Sequence, residues 1–264
     1  TRPSPGSGEL LRLAARTWGE EGSSLAVLVH GVTASSRTWW RVGPWFASRG
    51  WRAVAVDLRG HGESPRATET LHLEDLAGDL YETIFESARG RVDVLLGHSL
   101  GALTALELCR RHADVVDRLV LEEPPGSKST DFAKIADGIE ADAIRAKEAP
   151  EAFEQEQLAQ NSLWSKEDSV ENVQSLRECD AGPVAEMIRN GLRYDLEALA
   201  RSVEVPALII LGSEARGSAL PEPERTSVAN ALSRGRTEAF DAGHGVHRDN
   251  YEGYVRLLGD WLKG

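Results

Sequence analysis

The chain has 264 residues, 41% of them hydrophobic, and 30 Lys+Arg against 42 Asp+Glu give a formal net charge of −12. That length and apolar content suit an α/β domain with an insertion and allow a substantial buried core. The acidic balance excludes nucleic acid and membrane surfaces as expected partners, and no stretch approaches the ~18 uninterrupted apolar residues of a membrane span.

The first eight residues are polar and turn-rich and lack the apolar stretch of a secretory signal. The two cysteines, Cys109 and Cys179, fall in different parts of the pattern, which reads as reduced thiols in a cytoplasmic protein. Residues 11–17 alternate loosely like a half-buried strand, and Gly19-Glu20-Glu21-Gly22 marks a turn. Residues 25–29 are a continuous apolar run, as in a strand covered on both faces. His30-Gly31-Val32-Thr33 follows, then helical spacing over 38–49 that Pro44 distorts. Residues 52–56 form another buried strand, ending in the glycine-punctuated Asp57-Leu58-Arg59-Gly60-His61-Gly62-Glu63-Ser64.

Over 71–88, Leu73, Leu76, Ala77, Leu80, Ile84 and Ser87 share one stripe of an amphipathic helix. A strand at 92–96, a helix at 100–112 and a strand at 119–121 continue the alternation that predicts a mostly parallel sheet with helices on both faces. The alternation stops at 125–202, where only helical patterns occur, around 131–147, 151–163, 168–178 and 183–200, with breaks at Gly126, Pro150 and Gly182-Pro183. Residues 131–180 carry 13 Asp/Glu against 5 Lys/Arg, which reads as a solvated acidic face. A strand at 206–211, a helix near 223–234, a strand at 237–240 and a helix at 250–262 complete the pattern. The expected organisation is a core of 1–124 and 203–264 with a helical cap of 125–202 over the carboxyl edge of the sheet, where open α/β sheets bind ligands.

Gly97-His98-Ser99-Leu100-Gly101 lies where a buried strand turns into a helix. A serine at such a bend has its hydroxyl exposed, and the flanking glycines let strand and helix approach closely. A serine hydroxyl becomes a nucleophile when an imidazole accepts its proton and a carboxylate fixes that imidazole. Of the seven histidines, His244 follows the last strand at the sheet edge and precedes the final helix, so it is the expected base. Two backbone donors, the N–H groups of Val32 and Leu100, are placed to receive a developing oxyanion.

With these motifs in this order, the chain resembles the α/β-hydrolase superfamily along nearly its whole length. In that family a Gly, two residues and an Asp commonly follow the strand at 207–211; here Gly212-Ser213-Glu214-Ala215 puts alanine at that place. Haloalkane dehalogenases and zearalenone lactonases take their acid from the preceding strand, and Glu123 matches that position. Glu214, Glu122 and Asp241 are the alternatives, and because successive strand residues face opposite ways, at most one of Glu122 and Glu123 should face the imidazole.

Trp39, Trp40 and Trp164 are expected as walls of an apolar pocket. With no His-x-x-x-His pair and no cysteine cluster, neither a metal nor a cofactor is expected. The resemblance implies an esterase or lactonase acting on an uncharged, largely apolar small molecule. A carbon–carbon bond hydrolase, which generally needs a cationic pocket for an acidic substrate, and a ligand receptor with slow turnover are the alternatives. The sequence assigns no oligomeric state.

Overall fold

The computed structural model describes residues 11–68, 70–87 and 90–263. The polar arm 1–8 and the end of the helix expected at 71–88 lie outside these residues, as does the Ser87 side chain.

Strands β1 (Ala15–Trp18), β2 (Ser24–Val29), β3 (Trp51–Val56), β4 (Val94–His98), β5 (Leu119–Glu122), β6 (Ala207–Leu211) and β7 (Gly235–Ala239) form one sheet. Its order is β1-β3-β2-β4-β5-β6-β7; β1 pairs antiparallel with β3 and every other pair is parallel. Continuous apolar runs make the central strands because both faces are covered. Val27, Val29, Leu95, Leu119, Leu121 and Ile209 belong to one core, whereas Ala26, Leu28, Val94, Leu96, Val120 and Ile210 belong to another. The period of two in a strand sorts them.

Helices α1 (Val42–Ala47), α2 (Leu73–Ser87) and α3 (Leu100–Arg111) alternate with these strands. Between β5 and β6 run α4 (Phe132–Glu148), α5 (Pro150–Gln160), α6 (Lys166–Glu178), α7 (Ala181–Glu186) and α8 (Leu196–Arg201). The chain closes through α9 (Glu224–Ala231), α10 (Val246–Asp249) and α11 (Tyr251–Lys263). No helix among the described residues is long and apolar enough to cross a membrane.

Two sequence expectations shift. The helix expected at 38–49 splits into a 3₁₀ turn at Ser36–Trp39 and α1, where Pro44 sits in the first turn, a position that needs no N–H donor. Pro150 likewise opens a helix, and the break expected there does separate α4 from α5. The single helix expected at 183–200 is α7, a π turn at Met187–Gly191 and α8.

Helix α6 is fastened to the loop after β2 by polar contacts. Arg37 bonds Glu171 and Glu178, the Ser35 and Ser175 hydroxyls meet at 2.7 Å, and Asp168 accepts from the Trp40 indole and from Arg41. Both cysteines are free, and burial pushes each thiol up to about 12.

Candidate active site

Ser99 sits between β4 and α3 at φ 52°, ψ −115°, a conformation that L-residues rarely adopt. The neighbouring sequence makes the turn feasible. A Cβ on Gly97 would overlap the Gly101 carbonyl, and a Cβ on Gly101 would overlap the Val29 carbonyl of β2. Both flanking glycines are therefore required by close approach of backbone to backbone. The N–H groups of Val32 and Leu100 donate to no protein acceptor among the described residues. Thr33, also at positive φ, is held by its N–H to His61 Nε2 at 3.3 Å. His30 and Asp57 brace the same loops: His30 Nε2 accepts from Leu58 N, and Asp57 accepts from Ser36 N and Glu63 N.

Glu122 and Glu123 end β5 and point to different partners. Glu122 continues the row of Val120 on its face of the sheet, and His98 continues that of Val94 and Leu96 on the adjacent strand, where the two are register neighbours. Both therefore meet His247: its Nδ1 lies 2.8 Å and its backbone N–H 2.9 Å from Glu122 Oε1. Glu123, one residue past the strand and at φ 50°, turns toward His244, with Oε2 3.1 Å from Nδ1. Its carboxylate also accepts from Gly212 N, Ser218 Oγ and Ala219 N at 2.6–2.7 Å. Burial alone would raise the Glu123 pKa, but the His244 bond and charge and these N–H donors outweigh it and hold the group below the usual carboxylate range.

The other two candidate carboxylates are elsewhere. Glu214 is exposed in a 3₁₀ turn and accepts from Glu222 N, and Asp241 pairs with Arg216 at the surface. Of the four, Glu123 is the one that touches the imidazole. Its carboxylate would hold the proton on Nδ1 and leave Nε2 as an acceptor, the state that a nucleophilic hydroxyl requires.

Ser99 and His244 line one cavity of about 590 Å³, together with Val32 and residues of α5 and α6. His98 stands beside both, its Nε2–H donating to the His244 carbonyl at 2.8 Å, while its Nδ1 is buried without a partner. Burial drives both His98 and His247 well below the ordinary imidazole pKa. One ligand atom each from His98, Glu122 and His247 lies within 4.8 Å of the others. Two of the three are already paired with each other, since His247 bonds Glu122 through Nδ1, and its Nε2 is taken by Thr38 Oγ1.

The profile of the Alpha/beta hydrolase family matches residues 26–257. The chain belongs to that family. N-formylmaleamate deformylase of Pseudomonas putida is 27% identical over 266 residues, covering 93% of this chain and 90% of that protein. Probable esterase PIR7A of Oryza sativa is 36% identical over 98 residues, 37% of each. The chain spans between 26% and 37% of the length of the plant relatives that it matches over a single segment of about 100 residues. Among solved structures, E-2-(acetamidomethylene)succinate hydrolase superposes with a TM-score of 0.80 at 21% identity, over 96% of this chain and 95% of that one. This last likeness concerns the fold. Membership of the alpha/beta hydrolase family supports hydrolysis as the type of reaction.

Within this alpha/beta hydrolase, the expected pocket walls need correction. Trp39 is wholly buried among Leu28, Val42 and Phe46, with its ring 4.8 Å from that of His247. Trp40 gives its indole N–H to Asp168 at 3.0 Å. Neither lines the cavity; Trp164 does. The first two follow the loop in sequence, but helical spacing turns Trp39 into the core and Trp40 toward α6. The lining is also mostly polar, with Gln157, Asn161, Ser162 and Asn172 facing it, so the apolar pocket expected from sequence is not what the chain builds. Sequence reading missed Arg248, a buried cation on the cavity wall, whose one signal is its place four residues after His244 in the short helix α10.

Proposed function

We propose that the protein is a serine hydrolase that cleaves a carboxylic ester or lactone through an acyl-enzyme. Ser99 is the nucleophile, His244 the general base and Glu123 the carboxylate that orients it. The observation that carries this reading is the Glu123–His244 hydrogen bond opening on the same cavity as the strained Ser99 turn. Helices α4 to α8 serve as a cap over the site.

Ser99 Oγ attacks the carbonyl carbon and gives its proton to His244 Nε2. The carbonyl oxygen takes the displaced electron pair and is met by the N–H groups of Val32 and Leu100, a donor pair of which each member is typically worth about 3–4 kcal/mol in the transition state. Collapse breaks the bond to the leaving alkoxide, which takes the proton from His244. A water then gives a proton to Nε2 as it attacks the acyl carbon. The second collapse releases the carboxylic acid and returns the proton to Ser99. Every step uses the protein's own groups and water.

A second reading, carbon–carbon bond hydrolysis, is favoured by Arg248, since acidic substrates of that reaction need a cation in the pocket. The two share Ser99 chemistry and separate on substrate panels. The primary test is a fluorophosphonate probe with the adduct mapped by mass spectrometry, alongside p-nitrophenyl ester turnover. Labelling at Ser99 and turnover, both lost in Ser99→Ala, are the expected results. Folded protein without label at Ser99 overturns the reading, and tight ligand binding with negligible turnover indicates a receptor instead.

A further inference from the structure

Two arginines are largely buried among the described residues, Arg59 and Arg248. Arg59 holds Asp79 through Nε at 2.8 Å and a terminal nitrogen at 2.6 Å, as expected for a charge removed from water. Among the described residues, no carboxylate oxygen lies within 4.0 Å of the Arg248 guanidinium nitrogens, and the acidic groups near it act through charge alone. Its terminal nitrogens donate to neutral acceptors, the Asn172 side-chain oxygen at 3.2 Å and Thr38 Oγ1 at 2.7 Å. A guanidinium carries five N–H donors, so Nε–H and one hydrogen on each terminal nitrogen have no acceptor among the described residues.

The face and edge of this guanidinium are treated differently. Trp164 lies 4.5 Å from its central carbon and covers the face, which leaves in-plane donors for a planar anion. The group stands on the wall of the cavity that holds Ser99 and His244. The other charged groups on that wall have their own partners: Arg216 pairs with Asp241 and Asp142 with Arg145. Asp249 accepts from Gly243 N at 2.5 Å, and burial pushes its carboxyl toward the neutral form. Asp168, Glu122 and Asp249 act on Arg248 only through longer-range attraction.

We propose that Arg248 anchors a free carboxylate of the substrate, so that the site takes the ester or lactone of an acid bearing a second, ionised carboxyl group. This rests on hydrolysis at Ser99 as proposed above. A carboxylate supplies the missing counter-charge and accepts two parallel N–H bonds from the guanidinium edge, while the amides of the cavity wall donate to its remaining lone pairs. Arg248 is then a specificity-determining residue, and the pocket selects anions over neutral esters of the same shape.

The test compares mono-p-nitrophenyl glutarate, which carries a free carboxylate, with its neutral methyl ester, on wild type, Arg248→Met and Arg248→Lys. The quantity read is the ratio of kcat/KM for the charged over the neutral ester, which does not depend on the fraction of a variant that folds. Wild type should favour the charged ester. The ratio should fall by roughly 10- to 100-fold in Arg248→Met, mainly through KM, and by less in Arg248→Lys. A wild-type ratio at or below one, or a ratio in Arg248→Met within about threefold of wild type, overturns the anchor and leaves hydrolysis at Ser99 standing. Hydrolysis of neither ester and no fluorophosphonate label at Ser99 overturns the hydrolase reading instead. Calorimetric binding of monomethyl glutarate against dimethyl glutarate to Ser99→Ala reads the anchor without turnover. Preference for the monoanion, lost when Arg248→Met is added, supports it, and equal binding overturns it.

Discussion

Replacing Glu123 by glutamine changes one oxygen into an NH₂ group and removes a charge, at a side chain with no solvent exposure. The carboxylate accepts four hydrogen bonds, two on each oxygen. Oε1 takes Gly212 N and Ser218 Oγ; Oε2 takes Ala219 N and His244 Nδ1. With the amide nitrogen at the Oε1 position, Gly212 N–H loses its acceptor, although the Ser218 hydroxyl can turn to accept. With the nitrogen at the Oε2 position, Ala219 N–H loses its acceptor and His244 must present a bare Nδ1. That tautomer carries its proton on Nε2 and cannot take one from Ser99.

Each placement strands one buried backbone donor, at about 1–3 kcal/mol, and weakens the charge-assisted bonds that remain. The loss of stability should therefore be about 2–4 kcal/mol. The first placement keeps the useful tautomer but offers a neutral oxygen to the imidazolium that forms during reaction, and the second blocks proton transfer. Either way kcat/KM on p-nitrophenyl acetate should fall by about 10² to 10⁴. Urea unfolding and ester turnover on the same preparations measure both quantities. A Glu123→Gln protein with kcat/KM within about threefold of wild type would refute this account of the His244 environment, whatever its stability.

Gly101→Ala should fail through the fold. Its Cβ meets the Val29 carbonyl at the end of the central strand β2, a backbone contact with no flexible side chain to move aside, so a loss of about 3 kcal/mol or more is expected in urea unfolding. Native-like stability with full activity would mean that the helix behind Ser99 packs less closely than described. Acid sensitivity follows from the buried histidines. Burial pushes His61 down to about 3 and lowers His30 as well. A folded-state pKa below the unfolded value near 6.5 means that the unfolded chain binds the extra proton first. Stability conferred by neutral His61 is thus complete above pH ~6.5 and declines as the pH falls toward 3, by about 1.4 kcal/mol per pH unit, and His30 adds in the same direction. Unfolding free energies at pH 7.5 and 5.5 should differ by about 1 kcal/mol or more, lower at 5.5; an equal or greater stability at pH 5.5 contradicts the assignment.

The fold was legible because its central strands are short apolar runs in strict alternation with helices, and burial on both faces leaves no other use for such runs. Boundaries were less legible. Val92 forms only an isolated bridge, and β4 instead extends through Gly97-His98, because register with β5 and not hydrophobicity sets its end. The helices after β5 were anticipated in place, and the break at Pro150 with them, but the π turn at Met187–Gly191 that divides the helix expected at 183–200 has no marker residue in the sequence. At the site, the elbow glycines and the order of serine, carboxylate and histidine are local signals. Which carboxylate meets His244 depends on a positive φ at a non-glycine residue, which no residue type announces. Trp39 and Arg248 failed in opposite directions. An aromatic residue beside the loop after β2 has the look of a pocket wall and is core, whereas an arginine four residues past His244 carries no local signal and stands on the cavity wall.

The end of β5 joins these observations into one device. Alternation sends Glu122 to one side and the turn at Glu123 sends the next carboxylate to the other, so a single strand end supplies two histidines with partners. The first couple continues inward: His247 Nε2 meets Thr38 Oγ1, and that hydroxyl accepts from Arg248. A neutral His247 with its proton on Nδ1 leaves Nε2 to accept from Thr38, which fixes the direction of every bond from Arg248 through Thr38 and His247 to Glu122. The guanidinium is thus aimed by a chain of oriented groups that ends one residue from the carboxylate holding His244. A link of this kind would set the distance between an anion held on Arg248 and an acyl carbon at Ser99. Selection among substrates would then act on the spacing between carboxylate and scissile carbonyl as well as on charge.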